Sequence, residues 1–121
     1  MSLRLQKVAE QLQQEIAKLL LRESKDPRLN AVSITGVRVS PDLQIAHVHY
    51  VILGDSLERD RRPTEAALEK ARGWLRTEVG RRVRLRRSPE LKFHYDDSLQ
   101  RGEDMERKLA ELRAQGEMGD D

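Results

Sequence analysis

The sequence predicts an α+β fold, in which a three-stranded sheet carries helices on one face and is followed by a C-terminal tail. Two long segments repeat apolar residues every three or four positions, and three short segments alternate apolar and polar residues. These are the periods of amphipathic helices and of half-buried strands. Their order is helix, strand, strand, helix, strand, and 121 residues suffice for one domain. Because only four side chains are aromatic, aliphatic residues must fill most of the core.

The first half of the chain predicts a helix and a β-hairpin. Residues 3–24 carry an apolar stripe, and the Asp-Pro pair at 26–27 ends this helix because the residue before a proline avoids the α region. Residues 32–39 alternate as a strand, with a change of phase at Gly36 that indicates a β-bulge or a bend. After a proline-containing turn, residues 44–53 form a second strand, so the two strands are expected to pair antiparallel.

The second half predicts a long interrupted helix and a third strand. The helix is expected to start with Thr64 as its N-cap. Gly73 lies in its middle, where glycine costs about 1 kcal/mol relative to alanine, so a kink or a helix–turn–helix break is expected. Trp74 follows on the apolar face, which favours packing in the core or against the helix kink over stacking on a nucleobase. Residues 91–95 then alternate as the third strand.

Residues 103–121 are expected to form an acidic tail, partly helical or disordered, outside a domain of residues 1–102. A last helix would begin at Asp97 or Ser98, with an Asp or Ser side chain accepting a free backbone N–H at its start. Residues 116–121 are expected to fray. The apolar side chains that would anchor this helix weakly are Leu99, Met105, Leu109 and Leu112.

The net charge of +2 hides two regions of opposite sign. Residues 103–121 hold seven acidic and three basic residues, a net charge of −4, which leaves +6 on residues 1–102. Residues 60–87 alone carry ten basic and four acidic residues, so the whole excess lies in this stretch. Concentrated positive charge is typical of proteins that bind nucleic acid. A solvated surface balanced by nearby carboxylates is the alternative interpretation.

Arginine dominates the basic stretch, and its planar guanidinium suits two-pronged contact with a phosphate. Val83 and Leu85 alternate with arginines, which would let the apolar groups point inward while the guanidinium groups face solvent. The predicted phosphate contacts are Arg72, Arg76, Arg81, Arg82, Arg84, Arg86 and Arg87. A basic stripe on the first helix, opposite its apolar face, predicts a second RNA-binding surface. Its candidate residues are Arg4, Lys7, Lys18 and Arg22.

Several function classes find no support in the sequence. There are no cysteines, which excludes disulfides, thiolate nucleophiles and cysteine zinc sites. No apolar run approaches the ~20 residues of a membrane-spanning helix, and the glycine motifs of nucleotide-binding and hydrolase folds are absent. His47 and His49 share one side of the second strand and His94 lies on the third, a pattern that favours exposed histidines over a metal site. We therefore expect a cytoplasmic protein without catalytic site, cofactor, metal or membrane contact.

Six short segments together resemble the bacterial ribosome-binding factor A family across roughly residues 3–102. In chain order they are Val8-Ala9-Glu10-Gln11 through Glu15-Ile16-Ala17, Lys25-Asp26-Pro27-Arg28-Leu29, Val39-Ser40-Pro41-Asp42-Leu43 with Ala46-His47-Val48, Ala71-Arg72-Gly73-Trp74-Leu75-Arg76, Pro89-Glu90-Leu91-Lys92-Phe93, and Tyr95-Asp96-Asp97-Ser98. Each segment alone is weak, but six in this order and spacing are specific. The resemblance implies a type II KH-like domain in which a helix kink at Ala71, Arg72 and Gly73 replaces the usual G-x-x-G loop. Two glycines let a KH backbone approach phosphates, so with Ala71 in place of one, arginine side chains would have to hold the RNA.

The resemblance also implies a function. The chain resembles non-catalytic assembly factors that bind the small (30S) ribosomal subunit and assist late maturation and 5′-end processing of 16S rRNA. They are often important in the cold and leave with help from an assembly GTPase. We therefore expect the small subunit and 16S rRNA as partners of a monomeric protein. Two alternatives stay open: a general KH-like RNA-binding module without ribosome specificity, and a protein-interaction module whose first helix pairs with a partner.

Overall fold

The computed structural model describes residues 2–54 and 60–119, and in this part of the chain it contains four α-helices, one π-helical turn and three strands. The helices are α1 (Leu3–Lys18), α2 (Pro27–Asn30), α3 (Arg62–Val83) and α4 (Ser98–Gly119), and the π-helical turn (Leu19–Glu23) continues α1. The strands are β1 (Val32–Val39), β2 (Ile45–Ile52) and β3 (Glu90–Tyr95). The predicted order of helix, strand, strand, helix and strand is confirmed, and α2 is an additional short helix that apolar periodicity does not predict.

Side chains cap the first two helices. Ser2 Oγ accepts a hydrogen bond from a backbone N–H of the first turn of α1 (3.2 Å). The helical segment ends at Glu23, one residue before the predicted end. The Asp-Pro pair also starts the next helix, because the Asp26 carboxylate accepts a backbone N–H (3.0 Å) and caps α2. Pro27 suits the first turn of α2, where a missing N–H costs no hydrogen bond.

The three strands form one sheet in the order β1-β2-β3. β1 and β2 pair antiparallel, and the register shifts between Ile34 and Gly36, so the predicted hairpin and its β-bulge are confirmed. β3 pairs with β2 in parallel, which places His49 opposite His94. Parallel neighbours need a long crossover, and α3 provides it on the helical side of the sheet.

Helices cover one face of the sheet, as predicted. Ala46, Val48 and Tyr50 alternate along β2 and are buried on this face. Aliphatic side chains of α1 and α3 complete the core above them, and Tyr50 is the only aromatic ring of the described residues that is fully buried. The fully buried aliphatic residues include Leu12, Ile16, Leu19, Leu20, Leu68, Leu75, Val79 and Leu91.

α3 is one unbroken helix, so the predicted helix–turn–helix break at Gly73 is wrong. A methyl group built on Gly73 would meet no atom within 4 Å, so no close approach of another element requires a glycine there. The cost of one helical glycine, about 1 kcal/mol, is smaller than the gain of about 1.5–3 kcal/mol from burying Leu68 or Leu75 on either side. Ala71, Arg72 and Gly73 therefore lie within a continuous helix, and any bend occurs inside it.

The start of α3 also differs from the prediction. Thr64 is a buried residue of the first turn and not the N-cap. Asp60 provides the hydrogen-bond acceptor at the start of α3, because its Oδ1 accepts the backbone N–H of Arg62 (3.0 Å). Because Pro63 already has the φ of a helical first turn, the helix can begin before the threonine.

α4 is helical, but its described side chains from residue 101 to residue 116 are exposed. The Asp96 carboxylate accepts the Ser98 N–H (3.0 Å) at its start, which confirms the predicted Asp cap. The predicted apolar anchoring is wrong for the three described side chains, which are 43–59% exposed: Met105, Leu109 and Leu112. The side chain of Leu99 lies outside the described part of the structure.

The end of α4 also corrects a prediction. The helix continues to Gly119 and so includes residues 116–119 of the segment expected to fray, while residues 120–121 lie outside the described part of the structure. Ion pairs one turn apart stabilise an exposed helix without tertiary packing, and Arg101 pairs in this way with Asp97 (2.9 Å). Among the described residues, no helix has the length and apolar character needed to cross a bilayer.

Candidate nucleic-acid interface

Five arginines line one cleft beside the C-terminal end of α3, where the chain turns back toward the N-terminus of α1. The cleft has a volume of about 750 Å³. Two carboxylates, Asp42 and Glu90, accompany the arginines, so positive charge is in excess. We call this site the arginine cleft, and its arginines are Arg4, Arg76, Arg84, Arg86 and Arg87.

Backbone geometry and apolar contacts fix the arginine-rich wall of the cleft. Arg84 has a left-handed φ of 56° and ends α3. Val83 and Leu85 pack against the core, which confirms the predicted inward position of these apolar groups. Pro89 is fully buried and holds the far end of the segment. The arginines between these anchors are exposed, so their guanidinium groups can reach a ligand.

Arg76 links α3 to the segment that follows it. Its Nε and Nη2 both donate to the carbonyl oxygen of Ser88 (3.2 Å each), and Ser88 Oγ donates to the Arg76 carbonyl oxygen (2.7 Å). The two segments approach so closely that a methyl group on Gly80 would lie 2.8 Å from the Ser88 Cβ. Sequence periodicity does not predict this contact. The one sequence feature that could have indicated it is Gly80, a glycine within a helix of otherwise mostly apolar and charged residues.

Arg81 and Arg82, two of the predicted phosphate contacts, lie in ion pairs with carboxylates. Arg82 contacts Glu23 (2.6 Å), Glu15 (3.5 Å) and Glu78 (3.9 Å), which ties the end of α3 to α1. The hydrogen bond with Glu23, followed by the Glu15 contact, raises the pKa of Arg82 above its ordinary value. Arg81 pairs more loosely with Glu78 (3.4 Å). A nucleic acid would have to displace these carboxylates to bind Arg81 or Arg82. It would not have to break such ion pairs to bind the arginines of residues 84–87 in the cleft.

The predicted second surface on α1 is divided. Arg4 belongs to the arginine cleft, whereas Lys18 pairs with Glu15 (3.4 Å) near the other end of the helix. The remaining two residues, Lys7 and Arg22, are exposed. From Arg4 to Arg22 a helix rises about 27 Å, so the stripe extends away from the cleft along the whole helix.

The Ala71-Arg72-Gly73 segment borders a shallow hollow between α3 and the edge strand β3. The hollow has a volume of about 280 Å³ and includes Arg72, Gly73, Arg76 and Glu90. Arg72 pairs with Glu69 (2.9 Å) along the same helix face. Arg76 and Glu90 line this hollow as well as the arginine cleft, so the two sites are neighbours.

Three histidines meet on the partly exposed face of the sheet, because β2 and β3 are neighbours. His47 Nδ1 lies 2.9 Å from His94 Nε2, and the His49 and His94 rings stack with centroids 5.2 Å apart. Partial burial, and then the positive charge of His47 and His49, lowers the pKa of His94 below its ordinary value. Within the described part of the chain, no three or more histidine or acidic side chains have the arrangement of a metal site.

Trp74 is 40% exposed, so the predicted packing in the core is wrong for this side chain. The buried face of α3 is centred on Leu68, Leu75 and Val79, and Trp74 lies about 100° from Leu75 around the helix. This angle puts the ring at the margin of the apolar face. It borders an open apolar pocket between α3 and α2.

The architecture is that of the KH-like class, an α+β domain with helices on one face of a three-stranded sheet. The chain belongs to the ribosome-binding factor A family, whose sequence profile matches residues 4–109. Ribosome-binding factor A of Syntrophobacter fumaroxidans is 43% identical over 109 residues, which cover 90% of this chain and 93% of that protein. The resemblance seen in the six sequence segments is thereby confirmed.

Two solved structures share the fold. The crystal structure of ribosome-binding factor A from Thermus thermophilus has a TM-score of 0.65 and 28% identity, covering 75% of this chain and 94% of that one. Coordinates of the Thermus thermophilus factor fitted into a cryo-electron-microscopy map of a complex with the 30S subunit have a TM-score of 0.61 and 29% identity. They cover 74% of this chain and 91% of that one.

Proposed function

We propose that this protein binds the small ribosomal subunit by holding backbone phosphates of 16S rRNA in the arginine cleft. The observation that carries the proposal is the convergence of five arginines from three separated segments on one cleft with only two carboxylates. The similar Thermus thermophilus factor, fitted into a map of a 30S complex, supports the choice of partner.

The cleft suits phosphates better than it suits bases. Arginine forks bind phosphate oxygens in pairs and are weakly hydrated, so they lose little on leaving water. The described residues that line the cleft include no aromatic side chain on which a base could stack. Binding there is therefore expected to depend on charge and shape of the RNA backbone.

We extend the proposal to a non-catalytic role in late maturation and 5′-end processing of 16S rRNA. Membership of the ribosome-binding factor A family supports this role, as well as action in the cytoplasm as a monomer, release by an assembly GTPase and greater importance in the cold. In cells that lack the protein, 16S rRNA with unprocessed 5′ ends is expected to accumulate, most strongly at low temperature, as measured by primer extension.

Removing charge from the cleft tests the binding site. In the triple variant Arg84→Gln, Arg86→Gln, Arg87→Gln, we expect affinity for purified small subunits to fall at least about tenfold, with the slope of log affinity against log salt smaller in magnitude by about 2 to 3. These three side chains form no ion pair with a described carboxylate, so urea unfolding should show a folded protein of near-normal stability. Co-sedimentation across a salt series gives both quantities.

The helix α4 offers a control with the same change of charge. The triple variant Arg101→Gln, Arg107→Gln, Arg113→Gln removes three exposed arginines that lie outside the arginine cleft. We expect this variant to keep its affinity for small subunits and to restore 5′-end processing, whereas the cleft variant does neither. Equal losses in both variants would mean that net charge, and not the cleft, determines binding. Unchanged binding in both would refute the proposal.

A further inference from the structure

A second pocket lies between α2 and α3 and shares no lining residue with the arginine cleft. It is open to solvent, has a volume of about 610 Å³ and is walled by Pro27 and Leu29 from α2. Ala67 and Ala71 form its side on α3, where their small side chains leave room for a flat group. Trp74, 40% exposed, stands at its rim. We call this the Trp74 pocket.

The charges around the Trp74 pocket favour an anionic ligand. Glu23 and Asp26 line it, but each already pairs with an arginine of this chain: Glu23 with Arg82 (2.6 Å) and Asp26 with Arg28 (2.7 Å). The Arg28 hydrogen bonds hold the pKa of Asp26 below its ordinary value, so its carboxylate stays charged and paired. The rim is thus left with two lysines that form no ion pair with a described carboxylate: Lys25 and Lys70.

The pocket lies on a different face of α3 from the residues of the arginine cleft and of the hollow beside Arg72 and Gly73. Ala67, Lys70, Ala71 and Trp74 follow the spacing of three and four that puts side chains on one helix face. Arg76 points instead toward Ser88 and the edge of β3. A ligand in the Trp74 pocket therefore adds to phosphate binding in the cleft without replacing it.

We propose that the Trp74 pocket takes one unpaired nucleobase of RNA, stacked on the indole ring, with the neighbouring phosphates held by Lys25 and Lys70. This inference rests on the proposed function in taking RNA as the ligand. Stacking on an aromatic ring suits any base because every base has a flat face. The apolar walls cover one part of the base, and the ammonium groups of Lys25 and Lys70, the second of which also interacts electrostatically with Asp26, balance the charge of its phosphates.

Trp74 is the only tryptophan of the chain, so its fluorescence reports on this pocket alone. We expect titration of the full-length protein with a hexamer of adenylate to quench this fluorescence, because a stacked base quenches indole emission. An abasic hexamer with the same number of phosphates is expected to bind about tenfold more weakly and to leave the emission unchanged. Emission that is unchanged with both hexamers, or quenched equally by both, would overturn the inference.

Two substitutions at Trp74 separate stacking from simple apolar filling. Trp74→Leu is expected to lower affinity for the adenylate hexamer about tenfold, measured by fluorescence anisotropy of labelled RNA, while Trp74→Phe keeps most of it. Neither variant should change the binding of the abasic hexamer. Circular dichroism and thermal melting check that both fold. Equal binding of the adenylate hexamer by wild type, Trp74→Leu and Trp74→Phe would show that the pocket takes no base.

Measuring small-subunit binding beside the fluorescence distinguishes a failure of this inference from a failure of the proposed function. If wild-type protein co-sediments with small subunits but shows no base-dependent quenching, the Trp74 pocket inference fails and the arginine cleft stands. If quenching occurs but the protein does not bind small subunits, the proposed partner fails and the nucleobase site stands. Quenching by an apolar peptide but not by the adenylate hexamer would mean that the pocket receives a protein segment, which overturns the inference.

Discussion

Arg82 fastens the end of α3 to α1 and to the turn that follows it. Its guanidinium contacts Glu23 at 2.6 Å and Glu15 at 3.5 Å, two carboxylates that belong to the first helical segment. A phosphate that bound Arg82 would have to displace them. Arg86 and Arg87 form no ion pair with a described carboxylate and line the arginine cleft. Neighbouring arginines of one run are therefore placed differently: Arg82 holds two helical segments together, whereas we propose that the cleft residues bind the ligand.

Asp96 makes part of the stability depend on pH. Hydrogen bonds from Ser98, and after them one from Thr35 Oγ1 (2.7 Å), lower the pKa of Asp96 from 3.8 to about 2. Because the folded state favours the carboxylate, this contribution is complete above about pH 4 and is lost as the pH falls toward 2. We expect Asp96→Asn to be less stable than wild type at pH 5 and to lose less stability between pH 5 and pH 2.5, in urea unfolding.

The neighbouring Asp97 provides the control for Asp96. Asp97→Asn makes the same change of charge one residue further on, where the carboxylate pairs with Arg101 along α4. We expect this variant to keep the pH dependence of the wild type. If Asp96→Asn follows the wild-type curve as well, the hydrogen bonds of Asp96 do not contribute to folding stability.

At the scale of elements, the two glycines inside α3 are expected to respond in opposite ways to alanine. Gly73 has open space around it, so Gly73→Ala should stabilise the protein by about 1 kcal/mol through helix propensity alone. A methyl group at Gly80 would lie 2.8 Å from the Ser88 Cβ, and Ser88 is held by its bond to Arg76. We therefore expect Gly80→Ala to destabilise by about 1–3 kcal/mol. Urea unfolding measures both.

The same pair of variants distinguishes effects on the arginine cleft. Gly80→Ala displaces Ser88, which lines the cleft, so its affinity for small subunits should fall together with its stability. Gly73→Ala leaves that contact intact and should bind normally. Loss of binding in a stabilised Gly73→Ala variant would instead show that RNA backbone approaches α3 at this glycine.

The elements that bury a periodic apolar face are the ones that the sequence predicts well. Residues 32–39 form β1 with its bulge as predicted, because the change of phase at Gly36 is a local signal. The short helix α2 has too few residues to show a period. α3 runs unbroken through Gly73 because other elements bury its apolar face. Helix propensity is a local property of the sequence and does not include this burial.

At the scale of the molecule, pairing between distant segments decides what the site contains. The alternation of apolar residues does not indicate which strands are neighbours, and the parallel pairing of β2 with β3 brings His47 to His94. In the same way, the run of arginines is visible in the sequence, but the position of Arg4 in the cleft is not. The sequence thus predicts the charge of the surface, and the fold determines which charges share a cleft.

Charges of opposite sign are also separated along the chain. The net charge is −4 for residues 103–121 and +6 for residues 1–102. α4 holds residues 103–119 of this segment in a helix, and its described side chains from residue 101 to residue 116 are exposed. We expect the negative charge of this segment to oppose the approach of RNA that lacks a complementary shape. A specific partner would overcome this repulsion by its additional contacts.

Removing the tail is expected to raise affinity for unrelated RNA. With residues 103–121 deleted, the net charge rises from +2 to +6, so binding of a single-stranded uridylate oligomer should strengthen several-fold at about 50 mM salt. The difference should shrink at about 300 mM salt because screening shortens the reach of exposed charges. Filter binding at both salt concentrations measures it. Stability in urea should change little, since the described side chains of the deleted segment are exposed.

A tail of full length without its acidic charges separates charge from length in this experiment. We expect the full-length chain, with the seven acidic residues of 103–121 replaced by their amides, to bind uridylate at least as strongly as the deletion does, because the three basic residues of the tail remain. If the deletion strengthens binding and the amide variant does not, α4 hinders RNA by its bulk. If neither changes the affinity, the acidic tail has no part in selecting RNA, and the discrimination lies within the arginine cleft itself.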